Sequence, residues 1–351
     1  MKTNLNQIGM PHTAGRLAGV TGIFLASTLC LIAPTPPFSR PVVITLQAGV
    51  TGTDVQSALD ALPASGGEVI LPAGRIEVRQ PIVLRRDHQT LHGCGPTTIL
   101  ALADGANCPV IILGEPVNHP QKTVRYLQVS DLFIDGNRAH QQRELWRLAG
   151  EGSQIRNNGI TVQGVSDSTV EHLTAARCRS GGLVTTLGVR RLTVRGFEAF
   201  DNQFDGLACY HTVDSLFTEL FLHDNPCAGI SLDLAFNNNI IRHAVLAAND
   251  LGIFMRSSRG NQFQDVSIFN SHHYGVFMAH VEQLTPHGLT AAPQTACVQN
   301  SFTNLVASYC GSAAFRVNNA TCVENVLIGA QFANNDQGGL SLAQPDLMTL
   351  Q

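Results

Sequence analysis

The chain has 351 residues, of which 44% are apolar and only 14% are charged. This composition excludes an intrinsically disordered chain, because it supplies enough apolar side chains for a long buried core. The formal net charge of −4 argues against nucleic acid or an anionic membrane surface as a partner.

The N-terminal segment predicts export. The stretch from Ala18 to Ala33 contains no charged residue, basic residues precede it and prolines follow it. That arrangement is typical of a secretory signal, and the stretch is short for a membrane span of about 20 residues. We therefore expect a signal peptide at residues 1–33, with an N-terminal anchor as the alternative, and a linker at residues 34–49. The expected location is secreted or periplasmic.

Residues 50–113 are predicted to form an N-terminal cap and the first coils of a repeat. The segment Asp54–Leu62 has the apolar spacing of a helix, with Asp54 as its N-cap, and two glycines end it. A helix at this place would cover the open end of a stack of strands, which otherwise exposes an apolar interior.

Residues 114–345 contain a repeat that predicts a β-solenoid. Short apolar strands recur at intervals of 23 or 24 residues, with no helical pattern. Each is led by a glycine: Gly159, Gly182, Gly206, Gly229, Gly252 and Gly275. Shortly before four of these glycines stand asparagines that we expect to form a structural ladder between coils: Asn202, Asn225, Asn249 and Asn270.

The alternation of a β-strand predicts which side chains share a face. The first and third residues after each glycine should point inward, and the second and fourth outward. The fourth-position column is Gln163, Thr186, Tyr210, Asp233, Arg256 and Ala279, and the second-position column is Thr161, Val184, Ala208, Ser231, Phe254 and Phe277. Coils lie about 4.8 Å apart, so Tyr210, Asp233 and Arg256 should be consecutive neighbours on an exposed sheet.

This group predicts a catalytic site. Tyr210, with His211 at the end of its strand, would transfer protons. Arg256 would pair with a substrate carboxylate, and Asp233 would orient its neighbours. The alternative is an Asp233–Arg256 salt bridge of structural value only, beside an ordinary surface tyrosine.

Further substrate contacts are predicted nearby. Phe254 and Phe277 would form an exposed platform for a sugar, and His280 occupies the end of a neighbouring strand. Trp146 lies in a polar segment, residues 138–158, that interrupts the repeat; such excursions often bind ligands. Only one carboxylate lies in the outward column, so we expect no metal ion, and we expect no cofactor.

The opening segment resembles that of the pectate-lyase-like superfamily in Leu91-His92-Gly93-Cys94-Gly95-Pro96-Thr97-Thr98-Ile99. This resemblance implies an all-β fold, a right-handed parallel β-helix (solenoid) with an N-terminal capping helix. The region from about residue 130 to 280 is similar to alginate (mannuronan) C5-epimerase catalytic modules, on the motifs Ile134-Asp135-Gly136-Asn137-Arg138 and Asp201-Asn202-Gln203-Phe204-Asp205-Gly206-Leu207.

The narrower resemblance implies a polysaccharide lyase or C5-epimerase for polymeric uronic acids, with Arg143 as the basic residue of the loop. These enzymes remove the C5 proton next to a neutralised carboxylate. Their Tyr-Gly-Phe-Asp-Pro-His-Glu signature is absent here, because the matching coil is Gly181–Leu187, with Val184 at the aspartate position. The chemistry of a lyase or epimerase would therefore lie one or two coils further on.

Two other classes of function stay open. A glycoside hydrolase or transferase would combine Asp233 with a second carboxylate, either Asp205 or Asp214. A non-catalytic carbohydrate-binding or envelope protein would need neither. In every case the predicted partner is a polysaccharide or oligosaccharide.

The cysteines suggest disulfides. Eight of the nine follow residue 33, and an even number in an exported chain permits pairing. The local pairs Cys94–Cys108 and Cys297–Cys310 are the first candidates.

Overall fold

Each sequence repeat forms one coil of a right-handed parallel β-helix in the computed structural model, which describes residues 42–142, 155–280 and 296–351. The predicted fold class is confirmed, with about 12 turns. The described residues contain one α-helix, α1 (Gly52–Ala61), and 3₁₀ turns at Gly95–Thr97 and Arg138–His140.

The strands follow one another along the chain in three stretches. The first stretch is β1 (Val42–Thr45), β2 (Gly67–Ile70), β3 (Gly74–Val78), β4 (Ile82–Leu84), β5 (Gln89–His92), β6 (Thr98–Leu102), β7 (Ile111–Leu113), β8 (Val124–Arg125) and β9 (Gln128–Asp135). The second is β10 (Ile160–Val162), β11 (Val165–Ala176), β12 (Leu183–Thr185), β13 (Val189–Phe200), β14 (Leu207–Tyr210), β15 (Thr212–Val213), β16 (Leu216–His223), β17 (Ala228–Asp233), β18 (Phe236–Asn237), β19 (Ile240–Ala247), β20 (Leu251–Met255), β21 (Ser258–Arg259), β22 (Gln262–Phe269) and β23 (Val276–Met278). The third is β24 (Ser301–Thr303), β25 (Val306–Ser308), β26 (Phe315–Val317), β27 (Asn325–Ile328), β28 (Gln331–Ala333), β29 (Leu340–Leu342) and β30 (Met348–Leu350).

Two parallel sheets enclose the core. The ten-stranded sheet contains the glycine-led strands in the order β4, β7, β10, β12, β14, β17, β20, β23, β26, β29, and the remaining strands form a second sheet of twenty. The inward side chains of the ten-stranded sheet are fully buried, as at Ile230 and Leu232. Aromatic rings also stack within the core, as in the pair Phe263–Phe302, whose ring centroids lie 4.4 Å apart. Burial of this continuous apolar interior is the main stabilising term of the fold.

The leading glycines are required by close packing between coils. A Cβ atom on Gly182 would lie 2.6 Å from the carbonyl oxygen of Gly206, and one on Gly206 would lie 2.9 Å from that of Gly229. Neither distance can be accommodated without moving the backbone. The 23-residue period therefore records a steric constraint that repeats once per coil.

Helix α1 covers the N-terminal end of the stack, as predicted, but begins one turn earlier than expected. Thr51 is the N-cap, and Asp54 is the third residue of the helix, where its carboxylate accepts hydrogen bonds from the Thr51 backbone N–H (2.8 Å) and hydroxyl (2.7 Å). Val55 and Leu59 are buried against the first coils. Strand β1 pairs with β2, so part of the segment predicted as a linker belongs to the sheet.

None of the helices in the three described ranges combines the length and the apolar character that crossing a bilayer would require. The predicted signal peptide, residues 1–33, lies outside the described residues.

Buried asparagines form ladders that link successive coils. The Asn225 side-chain amide donates to the oxygen atoms of Ala199 (3.1 Å) and Asn249 (3.0 Å), and its own oxygen accepts from the Asn202 backbone (3.2 Å). The prediction is wrong for Asn270, which is exposed, because the ladder position of its coil is Ser271. A second ladder was not predicted: Asn239, Asn261, Asn300 and Asn325.

We expect Asn225→Ala to lower the free energy of unfolding by about 2–4 kcal/mol, because it removes several buried hydrogen bonds and leaves their partners unsatisfied. Denaturant titration of the purified protein would measure this loss. Gln203→Ala is the matched control, since it removes an exposed amide one residue from the ladder and should change stability by less than about 0.5 kcal/mol. Equal effects of the two substitutions would contradict a structural role for the ladder.

Candidate functional site

The outer face of the ten-stranded sheet carries the columns that the sequence predicts. Tyr210 lies beside Asp233 in the pairing of β14 with β17, and Asp233 forms a salt bridge with Arg256 on the next coil. In the second-position column, Phe254 lies beside Phe277. The predicted adjacency of Tyr210, Asp233 and Arg256 is therefore confirmed.

The salt bridge is largely buried. The Asp233 side chain is only 5% exposed, against 39% for Arg256, and one carboxylate oxygen also accepts from the Leu234 backbone N–H at 2.8 Å. The Arg256 guanidinium lies 5.1 Å from the centroid of the Phe254 ring, within the range of a cation–π contact. Arg256 is thus paired with a carboxylate of the protein, which is the salt bridge that the sequence analysis gave as the alternative, and its side chain stays 39% exposed.

The outer face is also less open than predicted. Gln163 and Thr186 are fully buried, and the Thr186 hydroxyl donates to Gln163 at 3.1 Å. The Gln163 amide in turn donates to the Val117 carbonyl oxygen at 2.6 Å. At this end of the sheet, the outward side chains are occupied by structural hydrogen bonds and are not available to a ligand.

Asp205, immediately before the leading glycine of β14, is the acidic group that the primary hypothesis missed. One of its oxygens accepts a hydrogen bond from the Ala228 backbone N–H at 3.0 Å. Burial raises the pKa of this carboxyl from the ordinary value of 3.8 to about 6, although the Ala228 hydrogen bond and the charge of Arg156 favour ionisation. A carboxyl with this pKa can exchange protons near neutral pH.

Tyr210 belongs to the same electrostatic cluster. Burial raises the pKa of its phenol, the negative charges of Asp205 and Asp233 raise it further, and Arg156 opposes them. Tyr210 therefore keeps its proton at neutral pH. Asp205 precedes β14 and Tyr210 ends it beside Asp233, and the charges of Asp205, Asp233 and Arg156 all act on the Tyr210 phenol. We define these four residues as the acidic cluster.

His211 lies at the end of β14 with a left-handed backbone (φ 44°). Burial lowers the pKa of its imidazole, and the charge of Asp233 opposes this effect. The ring is therefore neutral near pH 7 and can accept a proton.

The aromatic part of the face is partly buried where exposure was predicted. Phe254 and Phe277 are stacked with centroids 6.0 Å apart and an angle of 11° between the rings. Tyr274, which was not predicted, lies 5.2 Å from Phe277. These three rings present a half-exposed apolar surface on the coils next to Asp233.

The other predicted substrate contacts do not join this cluster. His280 lies against the next coil, where its ring is 2.6 Å from the Thr321 hydroxyl and 3.2 Å from the Asn319 amide. Arg143 and Trp146 lie outside the described residues. Asp214, one of the two carboxylates proposed for a hydrolase, is exposed at the second sheet and forms a salt bridge with Arg190 at 3.3 Å.

One feature of the sequence could have indicated Asp205. The residues immediately before the leading glycines are Asn158, Gly181, Asp205, Ala228, Leu251 and Tyr274. Asp205 is the single charged member of this column, and Tyr274 is its single aromatic member. The hypothesis followed only residues after the glycine and therefore overlooked this column.

The fold is a parallel β-helix of the pectate-lyase-like kind, as the sequence indicated. A family model described as "Periplasmic copper-binding protein (NosD)" matches residues 134–347. This match spans more than half of the chain, and the protein belongs to that family.

Comparison with individual proteins supports the same fold. Mannuronan C5-epimerase AlgE1 of Azotobacter vinelandii is 28% identical over 188 residues, which is 51% of this chain but only 13% of that relative. The solved A-module of mannuronan C-5 epimerase AlgE6 from the same organism has a TM-score of 0.56 at 17% identity, covering 86% of this chain and 93% of its own. A family 28 exopolygalacturonase of Yersinia enterocolitica has a TM-score of 0.57 at 12% identity, covering 89% and 77%.

The family description raises the question of a copper centre. Among residues 42–142, 155–280 and 296–351, no three or more His, Cys, Asp or Glu side chains are grouped to hold a metal ion.

Asp205 should make stability depend on pH. Its pKa is about 6 in the folded protein against 3.8 ordinarily, so the folded state binds more protons between these values and wild-type stability falls as pH rises from about 4 to about 6. Asp205→Asn removes this dependence. The stability of Asp205→Asn minus that of wild type should therefore increase between about pH 4 and pH 6 and stay constant at higher pH. Thermal unfolding of both proteins at a series of pH values would measure this difference.

The control for this experiment is Asp214→Asn, which removes an exposed carboxylate from the second sheet. A stability difference between wild type and Asp205→Asn that is the same at pH 4 and pH 7 would contradict the burial of the Asp205 charge.

Proposed function

We propose that the protein is a carbohydrate-active enzyme that acts on an acidic polysaccharide as a lyase or C5-epimerase. The observation that carries this proposal is the acidic cluster, in which a carboxyl with a pKa of about 6 acts electrostatically on a protonated phenol that stands beside Asp233. The two groups suit the removal of a proton from one face of a sugar ring and the delivery of a proton elsewhere.

In this reaction Asp205 is the general base. It is mostly ionised at pH 7 and accepts the proton from the sugar carbon next to the carboxylate. Tyr210 keeps its proton and delivers it either to the opposite face of the same carbon, giving epimerisation, or to the departing glycosidic oxygen, giving elimination. His211, which is neutral, is a second candidate acceptor at the end of the same strand.

Positive charge is needed to neutralise the substrate carboxylate, since this makes the neighbouring proton acidic. Arg156 is suited to this role because its charge acts on both Asp205 and Tyr210. The exposed part of Arg256 adds a second cation, although that side chain is shared with Asp233. An arginine offers two parallel donors that match a carboxylate.

The aromatic surface of Phe254, Phe277 and Tyr274 would bind an adjoining sugar through its apolar face. The similarity to mannuronan C5-epimerases supports an acidic polysaccharide as substrate, and the family description supports a periplasmic location. The proposal contains no copper-dependent step.

A glycoside hydrolase is the second candidate, and one observation favours it. Asp205 and Asp233 both act on Tyr210, yet their surroundings differ: burial dominates at Asp205, and Asp233 forms a salt bridge with the Arg256 cation. Two carboxylates in contrasting environments suit an acid and a nucleophile or base. Here Asp205 would be the acid, the reverse of its role in a lyase.

Activity measurements on alginate, pectin and neutral glucans test the proposal. A lyase gives an unsaturated product that absorbs ultraviolet light, an epimerase changes the proton NMR spectrum of the polymer, and a hydrolase gives new reducing ends only. We expect Asp205→Asn and Tyr210→Phe each to lower turnover at least about 100-fold. Asp214→Asn is the matched control and should retain activity.

Full activity of both Asp205→Asn and Tyr210→Phe would show that the site is misplaced. Binding of a polysaccharide without turnover, unaffected by either substitution, would favour a non-catalytic carbohydrate-binding protein.

The pH dependence of kcat/KM separates the two catalytic candidates. If Asp205 is a base, it must be ionised, so kcat/KM rises with pH through a midpoint of about 6. If Asp205 is an acid, kcat/KM falls through the same midpoint. We expect the rise, and a profile that falls between pH 5 and pH 7 would support the hydrolase instead.

A further inference from the structure

Two buried cysteines are brought together by the register of the last coils. Asn300 donates from its backbone N–H to the Asn325 side chain at 3.0 Å, and β24 pairs with β27 so that Ser301 lies beside Val326. The offset between these coils is 25 residues. Three residues before Asn300 and Asn325, the same offset of 25 residues places Cys297 beside Cys322.

Other contacts support this placement. The Gln299 backbone N–H donates to the Val323 carbonyl oxygen at 3.3 Å, and the Asn325 amide donates to the Cys297 carbonyl oxygen at 3.1 Å. Both cysteines are fully buried. Neighbouring positions in a parallel sheet lie about 4.8 Å apart, within the 4.4–6.8 Å that a disulfide requires between Cα atoms.

The two thiols interact directly. Burial raises the pKa of Cys297, and a hydrogen bond to Cys322 raises it further. The same hydrogen bond lowers the pKa of Cys322, because the Cys297 S–H stabilises a thiolate there. Disulfide exchange begins with attack by a thiolate, and a lowered pKa increases the thiolate fraction of Cys322.

The predicted disulfide pairs do not have this geometry. Cys310 lies after β25, where its backbone N–H donates to Asn335 at 2.9 Å, whereas Cys297 lies before β24 and Cys322 lies before β27. The Cys94 sulfur lies 3.3 Å from the Leu71 carbonyl oxygen, and that of Cys108 lies 4.0 Å from the Arg79 carbonyl oxygen. All eight cysteines of the described residues are thiols in this structure.

We propose that Cys297 and Cys322 are a disulfide-forming site that ties two adjacent coils together next to the acidic cluster. The oxidant is a disulfide of the surroundings, from a small thiol or an oxidoreductase. The Cys322 thiolate attacks one sulfur of that disulfide and releases one thiol. The Cys297 sulfur, on losing its proton, then attacks Cys322 and releases the second thiol. Two protein thiols are thereby oxidised, and one external disulfide is reduced to two thiols.

The site stabilises the region beyond Arg256 in the solenoid. The Cys297 sulfur lies 3.4 Å from the Ala279 carbonyl oxygen, and the charge of Asp233 acts on it. His280 is bound to Thr321 and Asn319, on the coil that also carries Cys322. The disulfide would thus fix the coil that His280 already contacts, close to the wall of the proposed active site.

Peptide mapping of the full chain tests this proposal. The protein is refolded with a mixture of oxidised and reduced glutathione, denatured, alkylated and digested without reduction. We expect a cross-linked peptide containing Cys297 and Cys322, which disappears on reduction before digestion. Quantitative alkylation of both cysteines, or a cross-link of either to another cysteine, would overturn the proposal.

Thermal unfolding supplies a second readout that does not depend on activity. Reduction should lower the Tm of the oxidised wild type by about 5 °C, because a disulfide of this loop length contributes a few kcal/mol to a chain of this size. The double variant Cys297→Ser/Cys322→Ser should show no change on reduction. Cys227→Ser, which removes an exposed cysteine, is the control and should keep the wild-type response. An equal response in the double variant would contradict the assignment.

Discussion

The parallel register between coils is the constraint on which the structure depends. Every backbone group of one coil must find its partner on the next, so a side chain stands beside the same position of its neighbours throughout the stack. The leading glycines permit this approach, since a Cβ on Gly182 would meet the Gly206 carbonyl oxygen. The buried asparagines reinforce it by bonding both to the backbone and to each other. A change at any of these positions acts on the alignment of several coils.

Register also determines the electrostatics of the site. It places Asp233 against Arg256, which compensates the buried charge, whereas Asp205 accepts a hydrogen bond from the Ala228 backbone and is influenced by the charge of Arg156. Burial shifts the Asp205 carboxyl toward its neutral form, and Asp233 is held in a salt bridge. The two acidic residues of one small surface therefore differ in chemical character, although the sequence alone presents them as similar groups. The same register brings Cys297 to Cys322 further along the solenoid.

The sequence was sufficient for the fold and for the columns of outward residues, because both follow from the glycine period and from strand alternation. Adjacent positions such as Tyr210 and Asp233 were predicted on that basis. Burial was not predictable, since it depends on what packs over the outer face, as Val117 does at Gln163. For this reason the sequence does not single out Asp205, and it leaves open whether Arg256 pairs with Asp233 or with a substrate. The ladder position of one coil is Ser271, and the sequence pattern assigns it to Asn270, one residue earlier. The pattern fails there because the turns between strands differ in length and the period is not strict.

A crystal structure of Tyr210→Phe with a bound uronic-acid oligosaccharide would test the central claim most directly, since this variant should bind the substrate but turn it over slowly. The account predicts a sugar on the outer face of the ten-stranded sheet, with a ring carbon facing the Asp205 carboxylate and the sugar carboxylate within hydrogen-bond distance of Arg156. A sugar bound instead at the second sheet, near Asp214, or an outer face that stays empty at saturating oligosaccharide, would contradict it.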